Sequence, residues 1–292
     1  MTRGPGIREH RAVELRDRVV VVTGASSGIG WDAALAFARR GAVVVGVARR
    51  QAELERLVAA CRETSPRSSL LAGDLGDRSF AERAVHDTLA RHGRLDVLVN
   101  NAAMPKHKHI YDVSPEEAER VLRVNFLACV WTSLAALPAM LRAGEGWIVN
   151  VSSVAGTVVP PRETLYAASK AALDAFTWGL AADLEGSGIH AALVVPGAID
   201  TEIWQKLDIP PAYRGAKAPP EVVTAAIFEA IEKRRFQITA PRRRPELFVA
   251  RLLRFAWPGL LRRGLRRMDP VPPEVVEAAR RRAVAAAPGS SR

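Results

Sequence analysis

The chain has 292 residues, 48% hydrophobic and 25% charged, too apolar for a disordered polymer and long enough for one large α/β domain. Its net charge of +11 is uneven: residues 233–292 carry 16 Lys+Arg against 4 Asp+Glu, while the first 232 are close to neutral. A basic nucleic-acid-binding face on the main body is therefore not implied. Cys61 and Cys129 form no Cys-x-x-Cys pair, which excludes a thiolate metal framework and fits a reducing cytoplasm. The opening residues contain no apolar run of secretory type, and no metal site is expected.

Short β-branched runs alternate with helical patterns along the chain. Residues 18–23 (RVVVVT) read as a buried strand, 28–40 as a helix and 42–48 (AVVVGVA) as a second strand. A helix over 51–62, a strand over 69–72, a helix over 79–91 and a strand over 96–100 (DVLVN) follow. Ser114 and Glu117 make a capping box ahead of a long helix to about residue 141. Its stretch 124–141 has no charge and approaches the length of a membrane span, but Asn125, Thr132, Ser133 and Pro138 interrupt it. Strands over 147–151, 190–195 and 236–239 then alternate with helices over 165–184 and 219–233. Continuous apolar strands separated by helices predict a parallel sheet of about seven strands, doubly wound, with helices on both faces. Ligands of such a sheet bind beyond the carboxyl ends of its strands.

The segments at those ends are unusual. After the first strand comes Thr23-Gly24-Ala25-Ser26-Ser27-Gly28-Ile29-Gly30, a glycine-rich turn into a helix N-terminus, where main-chain N–H groups favour a pyrophosphate. After the second come Arg49 and Arg50, where an acidic residue would hold a ribose 2′-hydroxyl. Two guanidinium groups suit a 2′-phosphate, so NADP is the expected cofactor. Tyr166 and Lys170 stand four apart on one helical face, with Ser153 thirteen residues upstream at a strand end and Asn125 forty-one upstream.

TGASSGIG, the NNAA run at 100–103, Asn125, Ser153, YAASK at 166–170 and PGAIDT at 196–201 together resemble the short-chain dehydrogenase/reductase superfamily over roughly residues 15–240. The resemblance implies a single Rossmann-type domain (1–240), followed by a basic extension (241–292). It implies Tyr166 as general acid/base, its phenol made more acidic by Lys170 and the positive nicotinamide, and Ser153 polarising the substrate oxygen. Asn125 would hold a water in a proton relay. Cofactor contacts are implied at Gly24, Ser26, Ser27, Gly28, Ile29, Gly30, Arg49, Arg50, Asp74, Leu75, Asn100, Asn101, Ala102, Tyr166, Lys170, Pro196, Gly197, Ile199 and Thr201. Two departures stand out: Ala103 where glycine is usual, and Trp31 directly after the loop. A homodimer or homotetramer through the helices around 128–141 and 171–184 is also implied.

Residues 154–161 and Ile203, Trp204, Leu207 and Ile209 give the substrate end apolar walls. A hydrophobic alcohol or carbonyl is expected: steroid-like, retinoid-like or long-chain. His107 and His109 are expected on the loop surface without function, gating of the pocket being the alternative. From residue 241, Leu, Phe and Trp interleave with arginines, and Pro258-Gly259 divides the segment into two short helices. Residues 245–268 read equally as a peripheral membrane element or as a lid or subunit contact. A membrane-surface or regulatory binding protein on the same fold is the alternative function. Residues 288–292 are expected to be disordered.

Overall fold

The computed structural model describes residues 13–210, 213, 215–242, 245–268 and 270–285. The outermost parts of both expected regions, 1–12 and 286–292, lie outside the described residues, and with them the disorder expected at 288–292.

Seven strands form one parallel sheet: β1 (Val19–Thr23), β2 (Val43–Ala48), β3 (Ser69–Ala72), β4 (Val97–Asn100), β5 (Gly146–Val151), β6 (Ile189–Pro196) and β7 (Gln237–Ala240). Their order is β3-β2-β1-β4-β5-β6-β7. The helices are α1 (Gly28–Arg39), α2 (Gln51–Arg62), α3 (Arg78–His92), α4 (Pro115–Leu122), α5 (Ala128–Ala143), α6 (Thr164–Asp183) and α7 (Glu221–Glu232). Successive strand residues point to opposite faces, and both faces are covered. Val20, Val22 and Val44 meet Phe37 of α1, Leu54 and Leu57 of α2 and Ile227 and Ile231 of α7. Val19, Val21 and Val45 meet Ala81, Ala84 and Val85 of α3, Ala136 and Met140 of α5 and Leu180 of α6. That double covering is why these strands read as unbroken valine runs.

The chain moves outward from β1 through β2 to β3, then returns to pair β4 on the other side of β1. This reversal opens a crevice above the carboxyl ends of β1 and β4, the position such sheets give their ligands.

The long predicted helix is present with a defect. Between α4 and α5, residues Arg123–Leu127 form one wide π-type turn, which swings Asn125 inward. Taken as a whole, Pro115–Ala143 is long and apolar enough to cross a membrane. In this fold, Cys129, Thr132, Ser133, Ala136 and Met140 of α5 face the sheet instead. The extension forms α8 (Pro245–Ala256) and α9 (Pro258–Met268), divided at Pro258 as expected, and a further helix, α10 (Pro273–Ala285), that the sequence reading did not assign.

Candidate active site

A cleft of about 520 Å³ opens along the carboxyl ends of the strands. One half is built from the turns after β1, β2 and β4. Gly24 adopts φ +68°, and a Cβ there would lie 2.8 Å from the Cα of Ala102. The turn is held by main-chain bonds, Gly24 N–H donating to the Val47 carbonyl at 2.8 Å. Thr23 Oγ1 accepts the N–H groups of Asn101 (2.9 Å) and Ala102 (3.0 Å), fastening the β4 turn beside the glycine loop. No side chain caps the first turn of α1, whose N-cap is Ser27. Its N–H groups and dipole thus face the cleft mouth as an anion site.

Ser26, Ser27, Gly28, Ile29, Arg49, Arg50, Asp74, Leu75, Asn101 and Ala102 line this half with Gly24, as do Pro196, Gly197, Ile199 and Thr201 farther along. Gly30 lies behind the wall: a Cβ there would meet the Gly24 carbonyl oxygen at 2.3 Å, so its role is to let α1 close on the loop. Asn100 also fails to reach the cleft. Its amide is buried and bonds Asn150 (2.9 Å) and Ser133 (3.2 Å), because strand alternation turns it into the core while Asn101 faces out. The two arginines divide. Arg50 is committed to the Ser26 main-chain oxygen (3.0 Å) and to Glu202 (3.0 Å). Arg49 is exposed at the cleft edge. Burial raises the Asp74 carboxyl, but the Gly76 N–H, Arg120 and Arg49 outweigh it and hold it below the usual range. Ala103 lines the cleft without closing it, and Trp31 packs against the core.

In the other half, Ser153, Tyr166 and Lys170 line one wall. Ser153 follows β5, and its Oγ accepts the Ala155 N–H at 3.1 Å. Lys170 is fully buried one turn after Tyr166, and its ammonium donates to the Val151 carbonyl at 2.9 Å. It stands 5.9 Å from the centre of the Tyr166 ring. Burial pushes the Tyr166 phenol up to about 12; a hydrogen bond with Ser153 pulls it back, and the Glu163 carboxylate adds to the rise. In the protein alone, burial therefore outweighs any acidification by Lys170. Burial also lowers the lysine itself, with Cys129 and Asp174 opposing. Asn125 is buried behind this wall. Its amide donates to Met104 O and Ser169 Oγ, both at 3.0 Å, and accepts the Met104 N–H at 2.8 Å. Both amide hydrogens are thus engaged, and the side chain braces the Tyr166 helix against the loop after β4.

The substrate end has the expected apolar residues, with Val154, Pro160, Pro161, Ile203, Trp204 and Leu207 joined by Met104, Pro105 and Tyr213. The sequence reading missed its charged frame. Lys106 is buried between Glu117 (2.6 Å) and Asp208 (3.1 Å), which joins the loop after β4 to the segment after β6. His107 and His109 are buried rather than exposed, at 3% and 8%, because the loop folds inward; His107 Nδ1 lies 3.6 Å from Glu163. A run of polar residues whose partners include Asp208, 102 positions along the chain, carries no local signal of burial.

The family model for short chain dehydrogenases matches residues 18–211. The chain is a short-chain dehydrogenase. Among curated relatives, the 11-beta-hydroxysteroid dehydrogenase 1A of Arabidopsis thaliana is 41% identical over 195 residues, 65% of this chain and 55% of that protein. Among solved structures, a short-chain dehydrogenase/reductase from Burkholderia phymatum in complex with NAD superposes with a TM-score of 0.77 at 26% identity. That match covers 85% of this chain and 96% of the other. A metagenomic short-chain oxidoreductase in complex with NADP gives 0.67 at 28% identity, covering 78% and 98%. As a short-chain dehydrogenase the chain is an oxidoreductase with the seven-stranded Rossmann-like sheet of that family, and these two solved structures carry different nicotinamide cofactors.

Proposed function

We propose that this short-chain dehydrogenase interconverts a hydrophobic alcohol and its ketone or aldehyde with NADP(H). Residues 1–240 would act as the catalytic unit and 241–292 as an appended helical region. The observation that carries the reading is the placing of Ser153, Tyr166 and buried Lys170 together in the cleft lining, at the junction of an anion-binding turn and an apolar pocket. NADPH, when bound, supplies the hydride to the carbonyl carbon.

The chain's own residues handle the oxygen. Tyr166 keeps its proton at neutral pH, so it donates to the carbonyl oxygen in the reducing direction. Ser153 Oγ–H donates to the same oxygen as charge develops there. Lys170 orients the cofactor ribose from its seat on Val151 and favours phenolate in the reverse direction. Asn125 takes part as a positioning residue through Met104 and Ser169. Gly24, Ser26–Ile29 and Gly30 form the pyrophosphate turn, Asp74 and Leu75 the adenine edge, and Ile199 and Thr201 the nicotinamide edge.

NADP is preferred because Arg49 stands exposed where the 2′-phosphate would fall, with Arg50 holding Ser26 in place. The substrate class rests on the apolar far wall, and the steroid dehydrogenase relative supports it. Exposed Leu134 and Leu141 on α5 and Trp178 on α6 support the homodimer or homotetramer, and buried unpaired Cys61 and Cys129 support a cytoplasmic setting. The deciding experiment is turnover of a steroid, retinoid and long-chain carbonyl panel with NADPH and with NADH, against Tyr166→Phe. Cofactor binding without turnover of any member would return the protein to the binding-protein alternative.

A further inference from the structure

α8 carries its largest apolar side chains on its outer side. Phe248, Leu252 and Phe255 are spaced by four and three residues, one helical stripe, and are 72%, 49% and 92% exposed. Val249 flanks the stripe, and Trp257 and Leu260 continue the exposed apolar surface into α9. The inner side is the anchored one. Ala250 is buried there, and Arg254 donates to the main-chain oxygens of Gly156 (3.4 Å) and Thr157 (3.3 Å). A stripe of this kind on the water side of a helix reverses the usual arrangement, in which the apolar face turns to the core.

The charge around the stripe is predominantly positive. Residues 247–268 contain six arginines and no acidic residue, and Arg262, Arg263 and Arg267 of α9 are exposed. We propose that α8 and α9 dock this protein onto an anionic lipid bilayer. Phe248, Leu252, Phe255 and Trp257 enter the boundary between headgroups and acyl chains, and Arg262, Arg263 and Arg267 meet the lipid phosphates. A second copy of the chain is the poorer occupant: a two-fold contact sets a patch against itself, and here arginine would face arginine. A nucleic acid would answer the arginines and leave the phenyl rings in water.

The docking surface is fastened to one rim of the cleft, and the helix that follows it to the other. Arg254 holds the segment just past Ser153, and Arg282 of α10 pairs with Asp112, at the end of the loop that buries His107. Docking therefore sets the cleft beside the phase in which a lipophilic compound concentrates. Binding to the bilayer does not depend on which substrate is turned over.

The test is flotation of the full-length protein with vesicles of phosphatidylcholine plus phosphatidylglycerol and of phosphatidylcholine alone, with light scattering of the free protein and turnover of a water-soluble carbonyl run in parallel. The protein is expected to float with the anionic vesicles and less with the neutral ones. Arg262→Gln/Arg263→Gln should weaken anionic binding on the order of tenfold. Phe255→Ser/Trp257→Ser should abolish flotation on both, with turnover unchanged, since neither side chain is part of the core. Absence of flotation with anionic vesicles overturns the proposal, as does flotation indifferent to the Phe255/Trp257 pair. So does a fall in molecular mass in that variant, which would mark a subunit contact, or tighter binding to duplex DNA than to vesicles.

Discussion

The two halves of the cleft are held by different means. The cofactor half is closed by main-chain groups on neighbouring strands: Gly24 on Val47, Asn101 and Ala102 on Thr23. The substrate half is closed by side chains on three separate loops, with Lys106 reaching Glu117 and Asp208, and His107 facing Glu163. Main-chain turns at strand ends are fixed once the sheet forms, so the first half is preorganised. Ion pairs between loops can part without disturbing the sheet, so the second half has freedom to adapt to a bulky substrate.

Tyr166 stands where the halves meet, and its loss should have the largest effect. Tyr166→Phe removes the proton donor without changing the packing, so kcat should fall about a thousandfold while NADPH affinity holds. Cofactor fluorescence titration and steady-state kinetics check both parts. The same variant isolates the phenol's ionisation in the cofactor-free protein. With its pKa raised from 10.0 to about 12 by burial, the group's contribution to stability is intact below pH 10. It is lost as pH rises from about 10 through about 12, because the unfolded chain gives up its proton first. The ultraviolet phenolate difference between wild type and Tyr166→Phe should therefore appear only near the upper end of that window.

Next come two changes in the rigid half. Arg49→Asp should lower NADPH affinity and raise NADH affinity, moving their ratio about thirtyfold, the value of one charge-assisted pair lost and a repulsion gained. An unchanged ratio would remove Arg49 from the 2′-phosphate site. Gly30→Ala would set a Cβ 2.3 Å from the Gly24 carbonyl oxygen, a main-chain atom, and 2.6 Å from Asn101 Nδ2. It should cost about 1–3 kcal/mol of stability, read as a lower urea midpoint, and weaken both cofactors alike. A selective loss of NADPH would contradict a purely steric role.

The contrast between the halves also explains what could be read in the chain. The central strands were legible because burial on both faces leaves an unbroken apolar signature, as in Val19–Val22, whereas the edge strands Ser69–Ala72 and Gln237–Ala240 are partly exposed and hold no valine. The glycine turn and the Tyr166–Lys170 spacing were legible because each sits within one strand-to-helix junction or one helical turn. Asn100 was misplaced by one step of strand alternation, a distinction that neighbouring asparagines do not encode. His107 and His109 were misjudged because their burial depends on residues from distant loops. The wide turn at Asn125 was likewise hidden, since α4 and α5 read as one continuous helix on either side of it.

Lys106→Met probes the adaptable half directly and should have the smallest effect. Burial lowers the Lys106 ammonium, but bonds to Glu117 and Asp208 outweigh this and hold it above its ordinary value. Removing the charge leaves Glu117 its contact with Lys108 and, among the described residues, leaves Asp208 the His107 N–H at 3.4 Å, so the segment after β6 loses its main tie. KM for a large hydrophobic carbonyl should rise about threefold to tenfold with kcat little changed, the pattern of a binding contact made equally in ground and transition states. NADPH affinity should stay as in wild type, because Gly24, Arg49, Asn101 and Ala102 on the cofactor side have no part in this ion pair. A parallel fall in NADPH affinity would mean that the loop pairs hold the cofactor turn as well, and that the two halves form one mechanical unit.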